Sequence, residues 1–161
     1  MELPTERLRL VLETTEEILA RIAAMRPADQ AEVSPTWLAR LRASHAADPW
    51  THGFAIVERA GGEHVGSCGY KGPPDEWGVV EIAYSVHPEM QGRGYATEAA
   101  RALVGYALGN AAARVVRAHT LPDNTASARV LTKCGFTCVG EVVDPEDGRV
   151  LQWKLGRPEP T

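Results

Sequence analysis

Hydrophobic and polar positions change period several times along this chain, and each change marks an element. From Arg7 to Glu13, Leu8, Leu10 and Leu12 alternate with Arg7, Arg9 and Val11, the period-two spacing of a half-buried strand. Thr14 and Thr15 follow as helix caps, Glu16 and Glu17 suit the positive end of a helix dipole, and Ile18, Leu19, Ile22 and Met25 recur on one helical face. Pro27 reads as the end of that helix. A second begins at Ser34, with Pro35 in its first position, and runs past Trp37, Leu38 and Leu41 toward His45, where Asp48-Pro49 closes it. Phe54 to Glu58 and Glu63 to Tyr70 read as strands around an Ala60-Gly61-Gly62 turn. Val79 to Val86 is the strongest strand, placing Val80, Ile82, Tyr84 and Val86 on one face and Glu81, Ala83 and Ser85 on the other.

After His87 the period lengthens: Ala96, Ala99, Ala100, Leu103, Val104, Ala107 and Leu108 form a helical stripe. Arg114 to Leu121 is a strand, and Pro122-Asp123-Asn124 opens a helix that ends near Cys134 with Gly135 as its cap. Phe136 to Val143 and Val150 to Leu155 are the last strands, joined by an Asp144–Gly148 turn, and Arg157 to Thr161 reads as a frayed tail. The order predicts an α/β (α+β) chain, a mixed sheet with helices and no internal repeat.

Composition narrows the function. The 161 residues fit a single domain spanning 1–161. Residues 1–80 carry 8 basic and 12 acidic side chains and residues 81–161 carry 9 of each, so neither half has the basic surplus that grips a phosphate backbone, and nucleic acid is excluded as the main partner. Cys68, Cys134 and Cys138 read as free thiols of a reducing compartment. His45, His52, His64, His87 and His119 are too scattered for a ligand set, so no metal is expected. The first residues lack the basic start and apolar core of a signal peptide, and no run of about 18 apolar residues occurs, which predicts a soluble, cytoplasmic protein with no membrane partner.

The chemistry concentrates in Gln91-Gly92-Arg93-Gly94-Tyr95-Ala96-Thr97, where a strand hands over to a helix N-terminus. Amides there lack intrahelical partners and the dipole favours negative charge, so the loop suits a diphosphate, with Gly92 and Gly94 allowing close approach to the backbone. A Walker loop is absent, and Thr97 stands where the dinucleotide fingerprint needs glycine or alanine, so neither a nucleoside triphosphate nor NAD fits.

Gln91, Gly94 and Ala96 resemble the Gln/Arg-x-x-Gly-x-Gly/Ala signature of the GNAT superfamily of acetyl-CoA-dependent N-acyltransferases. Asn124, Ser127, Leu131, Gly135 and Phe136 resemble the Asn-x-x-Ser-x-x-x-Leu-x-x-x-Gly-Phe run of the branch containing ribosomal-protein N-terminal acetyltransferases. The resemblance implies a mostly antiparallel sheet of about seven strands with helices on both faces, acetyl-CoA as cosubstrate and an amine acceptor. It further implies that the backbone of Ser85, Val86 and His87 pairs with pantetheine, an N–H near Val86 polarising the thioester carbonyl. By the same resemblance, residues Gln91 to Thr97 hold the pyrophosphate, with Arg93 able to pair a phosphate, and Asn124 and Ser127 contact the cofactor. Asn124 equally suits a helix N-cap.

Glu81 is the implied general base, because an ammonium must lose a proton before attack; a structural carboxylate is the alternative. Many relatives protonate the leaving thiolate with a tyrosine seven residues after the asparagine, where this chain has Leu131, and Ser127 is the implied substitute; the alternative is that Ser127 is plain helix surface and the thiolate takes its proton from water. Arg129 reads as either a phosphate ligand or a surface residue. Trp37, Trp50, Trp77 and Trp153 are candidate acceptor walls or core, and Asp144, Glu146 and Asp147 either attract a cationic amine or form a solvated turn. The acceptor is a protein N-terminal amine or a small molecule such as a polyamine, aminoglycoside or amino acid. A non-catalytic acyl-CoA-binding or regulatory module is the reading from another class, and the state is monomer or homodimer.

Overall fold

Thr14 caps the first helix through its side chain: Oγ1 accepts from the Glu17 amide at 3.1 Å while Glu17 accepts from the Thr14 amide at 3.2 Å, and this capping box starts α1 (Thr15–Ala23). In the computed structural model, which describes residues 1–157, α1 follows β1 (Glu2–Pro4) and β2 (Leu8–Leu12). A short α2 (Pro27–Gln30) and then α3 (Pro35–Ala43) come next, α3 capped by Ser34 Oγ accepting from the Trp37 amide at 3.3 Å. Strands β3 (Phe54–Glu58), β4 (His64–Tyr70) and β5 (Val79–Val86) precede α4 (Tyr95–Leu108). The chain continues through β6 (Val115–Thr120), α5 (Thr125–Lys133), β7 (Thr137–Asp144) and β8 (Gly148–Gly156).

All eight strands share one sheet in the order β1-β2-β3-β4-β5-β6-β8-β7, antiparallel except where β5 and β6 run parallel. Helix α4 makes the crossover between that pair, and its buried stripe of Ala99, Ala100, Leu103 and Ala107 packs on the sheet with α5 beside it. Leu8, Leu10, Phe54, Ile56, Val80, Ile82 and Val116 complete the core. Trp50 joins it, its ring 4.8 Å from Tyr70 and 5.7 Å from Tyr106. Among the described residues no helix is long and apolar enough to cross a membrane.

Three sequence expectations are corrected. The sheet has eight strands rather than about seven, because Glu2–Pro4, too short to show a period, pairs with Arg9–Val11. Pro27 opens a second short helix instead of only ending the first, its missing N–H costing nothing at a helix N-terminus. Arg157 is tied down: its amide donates to Arg114 O at 2.9 Å, and its guanidinium donates to the carbonyls of Leu108, Asn110 and Ala113. The rest of the expected tail, 158–161, lies outside the described residues.

Candidate active site

The site begins where two strands part. Strands β5 and β6 pair only from Val79 to Glu81 against Val115 to Arg117, so beyond Glu81 the β6-facing edge of β5 is bare. Its opposite edge shows which groups this leaves free. Lys71 N donates to Glu81 O at 2.9 Å and His87 N to Val65 O at 2.8 Å, which makes Ile82, Tyr84 and Val86 the non-hydrogen-bonded partners of β4. The N–H and C=O of Tyr84 and Val86 therefore point into the gap, and Val86 O accepts from Gln91 Nε2 at 3.0 Å.

A cleft of about 430 Å³ fills this gap on the side of α4 and α5, bounded by Tyr84, Val86, Gln91, Thr97, Ser127 and Arg129 among others. Gly92 and Gly94 both take left-handed φ, +79° and +83°, which turns the loop onto the first turn of α4. A Cβ on Gly92 would meet no protein atom within 4 Å, so the left-handed φ and not crowding by the protein calls for glycine there. None of the amides from Gly92 to Thr97 donates a hydrogen bond to another group among the described residues. Six successive donors at a helix N-terminus form a cradle for a polyanion. Arg7 braces the loop, donating to Arg93 O at 2.9 Å and to Glu98 at 2.9 Å, with its guanidinium 4.8 Å from the centre of the Tyr95 ring.

Across the cleft Tyr84 reaches α5, its hydroxyl 2.9 Å from Ser127 Oγ. Burial lifts the Tyr84 phenol above its ordinary range, and the Ser127 hydrogen bond opposes this only in part, so the pair keeps a proton at neutral pH. Asn124 caps α5 by accepting from the Ser127 amide at 3.0 Å, which fixes where that hydroxyl stands.

A second cavity, of about 530 Å³, shares Tyr84 and Ser85 with the cleft and lies against the other face of the sheet. Its floor is the small-residue face of β4 and β5 (Ser67, Gly69, Glu81, Ala83, Ser85), and α3 and the β7–β8 turn contribute Trp37, Arg40, Asp144 and Glu146 to its walls. Glu81 is buried there with each oxygen held by a cation, Lys71 Nζ at 3.0 Å and Arg117 Nε at 3.1 Å. Burial pulls the Lys71 ammonium down, but Glu81, Asp147 and Asp144 outweigh it and hold it above its ordinary value. His119 Nδ1 stands 3.6 Å from both Glu81 and Asp144, buried and without a hydrogen-bond partner. Burial pushes Asp144 up, yet the amides of Asp147 and Glu146, with Lys71 and His119, hold its carboxyl below the usual range.

The model of the acetyltransferase (GNAT) domain family matches residues 6–137. The chain belongs to that family. An uncharacterised N-acetyltransferase of Bacillus subtilis strain 168 is 36% identical to this GNAT chain over 89 residues, 53% of each protein. The chain thus spans about half the length of the curated relatives it matches. A ribosomal-protein-S5-alanine acetyltransferase from Vibrio fischeri superposes with a TM-score of 0.73 at 17% identity, covering 97% of this chain and 96% of that one. An aminoglycoside acetyltransferase in complex with coenzyme A superposes at 0.67 and 20% identity, covering 93% and 95%. At these identities the solved structures establish the fold.

In this GNAT domain the cleft gathers Ser85, Val86, Gln91, Gly92, Gly94, Tyr95, Ala96, Thr97, Asn124 and Ser127, but not His87 or Arg93. The amide of His87 is spent on β4 and its ring stacks edge-on against His64 at 5.2 Å, and Ser85 pairs with Ser67, so of the expected backbone contacts only Val86 faces the gap. Tyr84 is the residue the pattern missed: its alternation reads as core, yet it is only partly buried and lines the cleft. Among the tryptophans, Trp37 lines the second cavity, Trp50 and Trp153 belong to the core, and Trp77 is exposed. Leu131 is fully buried, so a tyrosine there would have to displace the core to reach the cleft. Asp144 and Glu146 line the cavity rather than forming only a solvated turn.

Proposed function

We propose that this GNAT domain moves the acetyl group of acetyl-CoA to a primary amine by direct attack in a ternary complex. The observation that carries this is the meeting of two cavities at Tyr84 and Ser85 beside the bare edge of β5, one of them lined by Gly92, Gly94, Tyr95, Ala96 and Thr97, whose amides are unpartnered among the described residues. The amides of Gly92 to Thr97 hold the pyrophosphate, and the β5 edge at Tyr84 and Val86 pairs with pantetheine as a strand would. The free Val86 N–H then donates to the thioester oxygen as negative charge develops on it.

The acceptor enters from the second cavity. Its ammonium loses one proton through water to Glu81, the neutral nitrogen bonds to the acetyl carbon, the carbon–sulfur bond breaks, and the thiolate takes a proton from the Tyr84–Ser127 pair, which the second proton leaving the nitrogen restores. Cys68 also lines the acceptor cavity, but burial pushes its thiol far up and keeps it protonated, which supports direct transfer over an acetyl-enzyme. One continuous sheet supports a single catalytic domain. The Asn124–Phe136 run favours a protein N-terminal amine as acceptor over a polyamine or aminoglycoside.

Thiol release from acetyl-CoA, followed with a panel of N-terminal peptides and small amines, tests the assignment. Amine-dependent release that Glu81→Gln reduces by about two orders of magnitude, with acetyl-CoA binding retained, supports it. Tight CoA binding with no turnover on any amine would leave a binding module.

A further inference from the structure

A base that takes the amine's proton must lose it again before the next cycle, and the groups at the oxygens of Glu81 decide where it goes. Lys71 Nζ stands at 3.0 Å and Arg117 Nε at 3.1 Å. Neither takes a proton: a guanidinium stays charged, and the neighbouring carboxylates hold the Lys71 ammonium above its ordinary value. His119 Nδ1, 3.6 Å from Glu81 Oε2, is the third neighbour and has a lone pair to offer. That nitrogen is buried with no hydrogen-bond partner, a rare condition for a polar atom. It lies just beyond hydrogen-bond distance of two carboxylates, since Asp144 Oδ1 also stands at 3.6 Å, so a proton arriving there draws in a partner from either side. The Gln152 amide reaches His119 Nε2 at 3.1 Å, and an amide can present its oxygen to an N–H there, which leaves Nδ1 bare.

The same groups lie on a gradient of exposure. The side chains of Glu81 and His119 are each 8% exposed, that of Asp144 14%, and that of Asp147 in the β7–β8 turn 51%. Charge around the ring favours a transient imidazolium. Lys71 is shared between Glu81 and Asp147, the latter at 3.7 Å, and Arg117 is bound to Glu81. Arg40 of α3 donates to the Lys71 carbonyl at 3.0 Å, and Glu146 accepts from the Ser34 hydroxyl at 2.7 Å. On β8, Lys154 shares the face of Gln152 but is exposed. Among the described residues Asp144 has no ionic partner within 4.0 Å besides His119.

Resting on the acetyltransferase assignment above, we propose that His119 resets Glu81: Nδ1 takes the amine's proton from Glu81 Oε2 and passes it to Asp144, from which it leaves to solvent at the β7–β8 turn. Glu81 and Asp144 return to carboxylates and His119 to a neutral imidazole, while the second amine proton restores the Tyr84–Ser127 pair as before. His119 is not among the residues lining the acceptor cavity, so it is a positioning residue that acts through Glu81. The route clears Glu81 from behind while the acceptor fills the cavity in front of it.

The test follows kcat and both KM values against pH in the parent and in His119→Gln, which keeps a polar side chain but takes up no proton. Turnover in the parent needs both Glu81 and His119 free of the extra proton, so log kcat should fall in acid with a limiting slope of about two, the signature of the coupled pair. His119→Gln should lower kcat about tenfold with both KM values kept, and its acid slope should drop to about one. An unchanged kcat, or a loss that leaves the steep acid slope in place, marks a structural histidine and overturns the inference while the acetyltransferase assignment stands. If His119→Gln does not fold, Asp144→Asn decides, its oxygen still accepting from the Glu146 and Asp147 amides: a similar loss of kcat with the steep slope kept supports the route, and an unchanged kcat overturns it. A parent that binds acetyl-CoA but turns over no amine overturns both readings.

Discussion

Tyr84 and Ser127 meet across the cleft while Leu131 is buried, and the proposed mechanism draws the proton for the departing thiolate from that pair. Tyr84→Phe keeps the ring and removes the proton, so kcat should fall by about tenfold to a hundredfold while acetyl-CoA affinity is kept; stopped-flow thiol release and titration calorimetry read the two separately. Glu81 has a structural duty beside the proposed chemical one. Glu81→Ala deprives Lys71 and Arg117 of the carboxylate they share and should cost about 2 kcal/mol in urea unfolding, whereas Glu81→Gln keeps the shape. The sequence makes Glu81 legible because strand alternation puts it among small residues on the cavity floor. It hides Tyr84, because a tyrosine flanked by Ile82 and Val86 matches a core stripe, and its partner lies 43 positions away on another element.

At the scale of elements, the handover from β5 to α4 is written in the sequence because a turn with two left-handed positions calls locally for glycine. Gly94→Ala should lower stability by about 1–2 kcal/mol, the cost of a Cβ at left-handed φ, and weaken CoA binding as the loop amides lose their aim; Gly105→Ala, within α4, serves as the control. Asn124→Ala removes the α5 cap and should cost about 1 kcal/mol, with a smaller loss of kcat because the Ser127 hydroxyl is no longer fixed against Tyr84. Elements held by pairing alone were harder to foresee. Strand β1 is three residues long, and α2 hides behind a proline that reads as a stop signal. The charge content of the β7–β8 turn was plain, but its place on the cavity wall depends on the sheet order, which strand patterns do not fix.

Across the whole molecule, β1–β2 and α4 are joined by one ion cluster: Glu98 accepts from Arg7 and from Thr5, and Arg7 also braces the loop. Burial pushes the Glu98 carboxyl up, but those hydrogen bonds outweigh it and hold it below the ordinary value. A folded-state value below the unfolded one means stability that is fully present above the unfolded value and lost as pH falls through the folded one. Glu98→Gln should therefore melt lower than the parent at neutral pH and converge with it in acid, as melting curves across that range would show. The central claim is that the cleft between β5 and β6 is a coenzyme A site, and thermal unfolding with acetyl-CoA, CoA, ATP and NAD in parallel tests it most directly. A rise in melting temperature with the two CoA species alone, diminished in Gly94→Ala, is the predicted result. No rise with CoA at ligand concentrations well above micromolar, or an equal rise with ATP or NAD, would contradict it.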